Sequence, residues 1–480
     1  MTLSTFIVHA ITLLDLICII MIIFVERKNP ASSIAWVLVI IMVPLGGFVA
    51  YALFGSGFHL NKKKRYELKK ISDALYRKIL SRYGDRRIEH PLQEEQPGVR
   101  LVRYLENEGE YYTNNNDVAL FTDGEKLFSA MMEDMRKAEK QIHMLYYIVR
   151  NDDLGRSFIA LLAEKARNGV EVKLIYDSLG SLLSSESLFK PLREAGGQVE
   201  AFSPLFQKLS THVRLNYRNH RKITVVDGLV GYVGGMNIGV EYLGRHKRLA
   251  PWRDTHIRIT GSAVSFLQQR FLMDWMSVSD GELSPVELEA CLPGPEHTGT
   301  IGVQIASSGP DTNTRSIKNA LLEMIYSAKK RVYIQTPYFI PDDSVTDALC
   351  IAARSGVDVR LMLPGIADHF FVYFASLTFA RQVLDAGVRV YKYHGFLHAK
   401  TLLVDDRVTT IGTANLDTRS LALNFEVNAF VYNQTFSLEC ARIYQEDLEN
   451  CTEVTADWFA KRNPALRALD SACRLLAPLI

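Results

Sequence analysis

The stretch HRKITVVD at residues 220–227 recurs as HAKTLLVD at residues 398–405. In both copies a lysine stands two positions after the histidine, an aspartate seven, a glycine fourteen and an asparagine seventeen. A spacing of two places the histidine and lysine side chains on the same face of a β-strand. One such motif would carry little information, whereas two copies with five matched positions indicate a duplicated site.

The repetition extends beyond these motifs. Residues 138–148 match residues 328–338, and ARNGVEVKLI at 166–175 matches ARSGVDVRLM at 353–362. In the second pair a helical pattern stops at a glycine and an alternating apolar strand follows. Helices that alternate with strands predict an α/β fold with helices outside a largely buried sheet. We therefore expect two duplicated α/β halves, at residues 111–290 and 291–460.

The paired motifs predict phosphoryl transfer on a diester. One imidazole can attack phosphorus and hold it covalently, while the other carries protons; the candidates are His220 and His398, and the motifs alone leave their roles open. Neighbouring ammonium and amide groups would stabilise charge on the non-bridging oxygens. These groups belong to Lys222, Lys400, Asn237 and Asn415, and both asparagines are predicted to bind phosphate. We expect neither a metal ion nor a cofactor.

Asp227 and Asp405 complete the two motifs and belong to the predicted catalytic set. Each stands five residues after its lysine, where the predicted strand ends. Asp227–Gly228 also suits the turn of a β-hairpin. Because a strand-end aspartate commonly accepts hydrogen bonds from the backbone, we expect both residues to serve mainly the structure.

Composition and charge restrict the class of protein. The chain has 480 residues, of which 48% are hydrophobic and 22% charged, so a folded core is expected and global disorder is not. The net charge of +2 excludes no partner by itself. The six cysteines form no CxxC pair, which argues against a zinc or disulfide framework and suits a reducing compartment. Without an extended tract of basic and aromatic residues, we expect no nucleic acid partner.

Two apolar runs precede the repeat, at residues 6–25 and 33–54. Each is long enough to cross a bilayer as a helix, so residues 1–60 are predicted to form a transmembrane hairpin. The larger basic cluster follows the second run, which places both ends in the cytoplasm. A cleaved signal peptide before a core helix is the alternative. Residues 61–110 are predicted to be a polar linker with some helix, and residues 461–480 an amphipathic C-terminal segment.

The paired motifs resemble the HxKxxxxD signature of the phospholipase D superfamily. The resemblance implies a pseudo-dimeric α/β fold with one active site between the halves and a phosphohistidine intermediate. It also implies that His220 is the nucleophile and His398 the general acid and base. An acidic residue orients each histidine in that superfamily, which we expect to be Asp254 for His220 and Glu426 for His398. Gly235 departs from the pattern, since a hydroxyl residue such as Thr413 is common there.

Several short strings resemble bacterial cardiolipin synthases over nearly the whole chain. They are RKNP at 27–30, NYRNHRK at 216–222, GFLHAK at 395–400, NLDTRS at 415–420 and NFE at 424–426. The resemblance implies phosphatidylglycerol as substrate, cardiolipin as product and the bacterial cytoplasmic membrane as location. Alternatives are another acceptor (serine, an alcohol or water), an inactive membrane-bound binding protein, and a membrane-tethered nuclease. A homo-oligomer is also compatible with the sequence.

Extra chain before the first motif and four aromatic residues complete the expectations. Residues 205–218 mix apolar and basic side chains, which suits either contact with an anionic interface or an ordinary surface loop. Tyr146, Tyr147, Tyr338 and Phe339 end predicted strands at comparable places in the two copies. We expect some of them to line the active site and at least half to serve core packing.

Overall fold

The computed structural model describes residues 3–25, 30–51, 70–73, 75, 77, 79, 98–182, 184, 186–202, 217–279, 291–292, 299–312 and 314–476. The predicted polar turn at residues 26–29 and the basic cluster at 61–65 lie outside this set, as do residues 205–216 of the insertion and the last four residues.

Within the described residues, fifteen strands form one continuous mixed sheet. Each half contributes seven strands in the same spatial order, and a final strand is added at the outer edge of the second half. The first half contains β1 Thr113–Phe121, β2 Gln141–Tyr146, β3 Glu171–Asp177, β4 Gln198–Phe202, β5 Ile223–Val226, β6 Val230–Gly234, β7 Trp252–Arg253 and β8 His256–Thr260. The second contains β9 Ile301–Ser308, β10 Arg331–Gln335, β11 Phe339–Ile340, β12 Asp358–Pro364, β13 Arg389–Tyr393, β14 Phe396–Leu397, β15 Thr401–Val404, β16 Val408–Gly412, β17 Leu416–Asp417, β18 Glu426–Tyr432 and β19 Cys451–Val454.

The two halves meet where β1 pairs antiparallel with β9. From this junction the order runs β8-β6-β5-β2-β3-β4 on one side and β18-β16-β15-β10-β12-β13-β19 on the other. Two short parallel pairs lie outside the main sheet, β7 with β14 and β11 with β17. The predicted pair of duplicated α/β halves is therefore confirmed.

Helices cover the sheet, and two of them end where the sequence predicted. The helices that end at Arg167 and Arg354 are each followed by a glycine with positive φ, Gly169 at 89° and Gly356 at 88°, before the next strand begins. The helices are α1 Leu3–Ile20, α2 Pro30–Met42, α3 Gly46–Ala50, α4 Val99–Asn107, α5 Gly124–Lys137, α6 Asp153–Arg167, α7 Glu186–Glu194, α8 Ala263–Val278, α9 Ser316–Ser327, α10 Asp343–Arg354, α11 Phe370–Leu384, α12 Thr418–Ala422, α13 Gln434–Glu449, α14 Ala456–Ala460 and α15 Pro464–Leu476.

Helix α4 begins inside the region predicted to be a polar linker and packs into a core. Leu101, Val102 and Leu105 are buried in the same cluster as the interior of the second half. Leu75 and Ile79, also from the linker region, are buried against the cluster that surrounds α8. Helix α4 is amphipathic: its apolar residues form one buried face, and its polar residues face away from the core.

The N-terminal elements form a small packed unit of their own. Cys18, Ile22, Trp36, Ile40 and Tyr51 are buried together where α1 and the following π-helical turn (Met21–Val25) contact the second apolar segment. Residues 5–24 form a helix long and apolar enough to span a membrane, and no other described helix reaches that length. The second apolar run is divided instead, with α2 ending at Met42 and α3 starting at Gly46.

Helix α15 packs on α11 through Leu469 and Cys473, which lie against Val372 and Ala375. Thr378 of α11 also donates a hydrogen bond to the carbonyl of Asp470. The described part of the C-terminal segment thus rests on the second half with its apolar face.

Candidate active site

His220 and His398 line a single cavity of about 590 Å³ between the two halves. The residues just before each histidine pair through their backbone with the opposite half. His220 donates its backbone N–H to the carbonyl of Phe425, and His398 donates its own to the carbonyl of Arg253. These contacts continue the bridge between Asn219 and Phe425 and the β7–β14 pair. The two motifs, 178 residues apart in sequence, therefore meet at one site.

Each histidine pairs through Nδ1 with a buried carboxylate of the other half. His220 Nδ1 lies 3.0 Å from Glu426 Oε2, and His398 Nδ1 lies 2.6 Å from Asp254 Oδ2. A carboxylate at Nδ1 fixes the tautomer and leaves Nε2 for the substrate. The carbonyl of Thr413 lies 3.1 Å from the same nitrogen of His220 and adds a second acceptor there.

The predicted assignment of Asp254 to His220 and of Glu426 to His398 was wrong. The acidic residues do orient the histidines, but the pairs are crossed between the halves. The physical reason is the strand pairing described above. Because residues just before each histidine pair with residues just before the acidic residue of the opposite half, the histidine reaches that carboxylate and not its own.

Two buried arginines fix this crossed arrangement. Arg221 has no exposed side-chain surface. Its Nη1 lies 2.7 and 2.9 Å from the two carboxylate oxygens of Asp274, and its Nε donates to the Glu426 carbonyl at 3.1 Å. Arg253 makes the corresponding pair with Asp447, with Nε 3.0 Å from both carboxylate oxygens, and donates to the Asp254 carbonyl. Charge-assisted hydrogen bonds are strong, so Asp274 and Asp447 fix the positions of the two arginines. Each arginine then holds the backbone of the carboxylate residue that faces a histidine.

The two motif lysines are buried beside their own histidines. Lys222 donates to the His220 carbonyl at 2.6 Å, and Lys400 donates to that of His398. Neither lysine is among the described residues that line the cavity. Burial lowers the pKa of Lys222 to about 7, and the like charge of Lys400 lowers it further against the attraction of Glu426. Burial also lowers the pKa of Lys400, to about 8.

The pKa shifts at this site favour neutral histidines and ionised carboxylates. Burial and the neighbouring lysine lower the pKa of His398 to about 4, although Asp254 opposes them. Burial likewise lowers the pKa of His220. Burial alone would raise the pKa of Asp254 and Glu426, but the facing histidine and lysine outweigh it and hold both pKa values below the ordinary range. A bound phosphodiester would add a negative charge and raise both histidine pKa values.

Both motif asparagines line the cavity, and their amides already have protein partners. Asn237 accepts from the backbone N–H of Ile148 at 3.0 Å and donates to the hydroxyl of Tyr242 at 2.5 Å. Asn415 donates to the carboxylate of Asp417. This hydrogen bond lowers the pKa of Asp417, but burial has the larger effect and raises it. Each amide retains one further N–H, so phosphate binding by these residues remains a prediction.

Asp227 and Asp405 lie at the far end of their strands, in the hairpin turns. Asp227 accepts from three consecutive backbone N–H groups of residues 139–141 at 2.8–2.9 Å. Asp405 makes the same contacts with residues 329–331 at 2.7–2.9 Å. Both have positive φ, 53° and 52°, as hairpin turns require. This geometry fits the predicted structural role, and neither aspartate is among the described residues that line the cavity.

Gly235 has a steric explanation. A Cβ atom at this position would lie 2.0 Å from Oδ1 of Asp254. The hydroxyl of the matching Thr413 is occupied with the backbone of Val427, at 2.9 Å from its nitrogen. We infer that glycine at position 235 leaves room for the carboxylate of Asp254. Because the Thr413 hydroxyl is bonded to the backbone, its absence from the first half removes no donor to the substrate.

Aromatic and basic side chains surround the two histidines, and the sequence singled out Tyr147 alone among the four aromatic ones. Tyr242, Trp252 and Phe396 surround His398 with ring centroids 5.5–6.0 Å from the imidazole, and Tyr147 lies 5.1 Å from that of His220. Arg150, Arg218, Arg248 and Arg419 also line the cavity. The strings around residues 216–222 and 415–420 contain two of these arginines, but nothing in the spacing marks Tyr242 or Trp252.

Among the four aromatic residues considered from sequence, two line the cavity and two do not. Tyr147 and Tyr338 are in the wall, whereas Tyr146 and Phe339 have no exposed surface and belong to the cores. This division agrees with the expectation that at least half serve packing.

One group of possible metal ligands occurs elsewhere in the described residues. It consists of His143, Glu171 and Cys291, whose ligand atoms lie within 4.8 Å of one another. Glu171 already pairs with His143 at 2.9 Å and with the ammonium of Lys173 at 2.7 Å. Because that ammonium occupies the place of a cation, the group is better explained as a buried ion pair.

Comparisons with known proteins agree with this geometry. The family model "Cardiolipin synthase, PLD-like domain" matches residues 131–262 and 321–448, and "Phospholipase D-nuclease N-terminal" matches residues 13–56. Phosphatidylserine synthase of Haemophilus influenzae is similar in fold, with a TM-score of 0.60 at 14% identity, over 79% of this chain and 100% of that chain. Fold and paired motifs thus define a phospholipase D-like protein.

Sequence relatives give the family more narrowly. Cardiolipin synthase of Staphylococcus aureus strain N315 is 42% identical over 475 residues, which is 98% of this chain and 95% of the relative. Cardiolipin synthase of Oceanobacillus iheyensis is 41% identical over 480 residues, covering 97% of each. The chain belongs to the cardiolipin synthase family of phospholipase D-like enzymes.

Proposed function

We propose that this protein is a cardiolipin synthase that transfers a phosphatidyl group from one phosphatidylglycerol to a second, with release of glycerol. The observation that carries the proposal is the pair of histidines in one cavity, each bound at Nδ1 by a buried carboxylate. Relatives named cardiolipin synthase cover nearly the whole chain and support this choice of substrate.

In the first step His220 Nε2 attacks phosphorus and the bond to the glycerol headgroup breaks. His398 gives the proton of its Nε2 to the departing glycerol oxygen. The negative charge of the substrate raises the pKa of His398 and so favours the charged acid once lipid has bound. Lys222 and Lys400 stabilise the charge on the non-bridging oxygens electrostatically from behind the histidines, and Asn237 and Asn415, which line the cavity, are the donors.

In the second step His398, now neutral, removes the proton from the terminal hydroxyl of a second phosphatidylglycerol. The resulting oxygen attacks phosphorus, the phosphorus–nitrogen bond breaks and His220 is released. His398 keeps the proton for the next cycle. The bonds formed and broken are of the same kind, so the reaction is expected to be reversible.

Aromatic residues around the histidines would protect the intermediate from water. Trp252 and Phe396 pack around His398 and Tyr147 packs against His220. Excluding water favours transfer to a lipid hydroxyl over hydrolysis, which would make the protein a phospholipase.

The proposal includes a membrane location with a two-helix hairpin at residues 1–60 and the catalytic halves on the cytoplasmic side. The apolar helix at residues 5–24 and the packing between α1 and α2 support it. Phosphatidylglycerol, cardiolipin and the bilayer are then the partners. A homo-oligomer remains a prediction, as does the absence of a nucleic acid partner.

The test uses purified full-length protein in detergent–lipid micelles with labelled phosphatidylglycerol as the sole lipid substrate. Wild type, His220→Ala and His398→Ala are compared by mass analysis of the products. Cardiolipin with equimolar glycerol from wild type alone is expected. Phosphatidic acid as the main product would indicate a phospholipase, and absence of turnover would reject phosphatidylglycerol as donor.

A further inference from the structure

The cavity opens beside exposed aromatic side chains of the second half. Phe370 and Phe371 begin helix α11 and are each 53% exposed. The residues on either side of them, His369 and Val372, line the cavity. Large apolar side chains grouped at the mouth of a site are costly in water and indicate a contact surface.

The first half presents apolar residues at the same mouth. Leu179 lines the cavity and Leu182, in the same turn after β3, is 59% exposed. The backbone N–H of Leu182 donates to the carbonyl of Leu179 at 3.2 Å, so the two residues belong to one compact turn. Apolar side chains therefore flank the cavity from both halves.

A run of basic residues joins these two sides. Residues 245–248 read Arg-His-Lys-Arg, and all four are exposed. His246 and Arg248 line the cavity, and Arg248 donates to the carbonyl of Ala367 at 3.5 Å, three residues before Phe370. A positive charge next to exposed apolar groups is the combination that binds an anionic bilayer surface.

We propose that this rim, made of Leu179, Leu182, residues 245–248, Phe370 and Phe371, docks on the surface of an anionic bilayer. The inference rests on the proposed function and adds the orientation of the catalytic halves toward the lipid. Phe370 and Phe371 enter the region below the headgroups, and the basic run contacts the phosphates. The cavity then opens directly onto its substrate, so the lipid need not cross water.

The first experiment compares full-length Phe370→Ser/Phe371→Ser with Tyr326→Ser/Ile351→Ser. The control residues are each 54% exposed, on α9 and α10, and are not among the described cavity-lining residues. With phosphatidylglycerol in proteoliposomes, the rim variant should lose about tenfold or more in kcat/KM, while the control changes little. With short-chain phosphatidylglycerol dispersed as monomers, both variants should equal wild type. If the rim variant lost as much activity on monomeric lipid as on proteoliposomes, the proposal would be overturned.

The second experiment tests the charge. Lys247→Gln should lower kcat/KM on phosphatidylglycerol-rich proteoliposomes by about fivefold, and high salt should abolish the difference. A salt-independent loss, or none, would contradict docking through the basic run.

A third measurement does not depend on activity. Phe371→Trp should gain fluorescence that brominated lipids quench, whereas the fluorescence added by Tyr326→Trp should not be quenched. Lack of quenching at residue 371 would exclude insertion even if cardiolipin is made. Conversely, quenching at residue 371 in a protein that makes no cardiolipin would retain the docking surface and reject the proposed function.

Discussion

Glu426 Oε2 lies 3.0 Å from Nδ1 of His220, although the two residues belong to different halves and are 206 positions apart. Asp254 makes the reciprocal contact with His398. Because the contacts are reciprocal, each carboxylate orients a histidine with a different role in the proposed reaction. Glu426 serves the nucleophile and Asp254 serves the acid and base.

Replacing each carboxylate by its amide should therefore give two different defects. We expect kcat to fall about 10²- to 10⁴-fold in both Glu426→Gln and Asp254→Asn, since both histidines lose their orienting acceptor. With a phosphatidyl ester of p-nitrophenol, whose leaving group needs no proton, only breakdown depends on His398. Rapid-quench analysis should then show phosphohistidine accumulating in Asp254→Asn and little intermediate in Glu426→Gln. The opposite distribution would mean that the roles of the two histidines are reversed.

The lysine pKa values predict the alkaline limb of the pH profile. Lys222, with a pKa of about 7, and Lys400, with a pKa of about 8, carry charge below these values and lose it above them. The anionic substrate needs that charge, so kcat/KM should decline as the pH rises through 7 to 8. Intrinsic fluorescence at each pH serves as the control for folding. A constant rate up to pH 10 would show that neither lysine titrates in the free enzyme.

Gly235→Ala should disturb the general acid without touching the substrate. The added Cβ would lie 2.0 Å from Asp254 Oδ1, so the carboxylate must move away from His398. A loss in kcat of about 10²-fold is expected, at the lower end of what acid–base catalysis contributes. Gly244→Ala is the control. Its Cβ meets nothing within 4 Å but its φ is 72°, so about 1–2 kcal/mol of stability and no activity should be lost.

Asp227→Ala should affect stability and spare the chemistry. Three backbone N–H groups lose their acceptor, which is expected to cost about 1–3 kcal/mol in the free energy of unfolding. Asp405→Ala should behave alike because it makes the same contacts. Urea denaturation measures the first quantity and kcat per folded molecule the second. A hundredfold lower kcat at unchanged stability would instead place the aspartates in the catalytic machinery.

Much of this arrangement could be predicted from the sequence because it depends on local spacing. The duplication, the helix ends at Gly169 and Gly356 and the hairpin turn after Asp227 all follow from local preferences of the chain. The meeting of His220 and His398 in one cavity followed from the family resemblance.

The crossed pairing could not be obtained in this way. Asp254 and Glu426 are recognisable as equivalent positions, but equivalence does not tell which histidine each one faces. That depends on how the Asn219–Phe425 bridge and the β7–β14 pair join the halves. Tyr242 and Trp252 were missed because they stand in a four-residue 3₁₀ helix and a two-residue strand, which are too short to give a periodic signal. Some helix was expected in residues 61–110, but the packing of α4 into the core was not, because the region as a whole is polar and only one face of this helix is buried.

The crossed carboxylates also have a consequence for the ancestry of the chain. A single half has a histidine without its acceptor and a carboxylate without its imidazole, and it gains both only beside another half. A self-associating ancestor would have supplied two identical centres by symmetry. Once both copies lay in one gene, the centres were free to diverge, and the Gly235–Asp254 and Thr413–Glu426 combinations record that divergence.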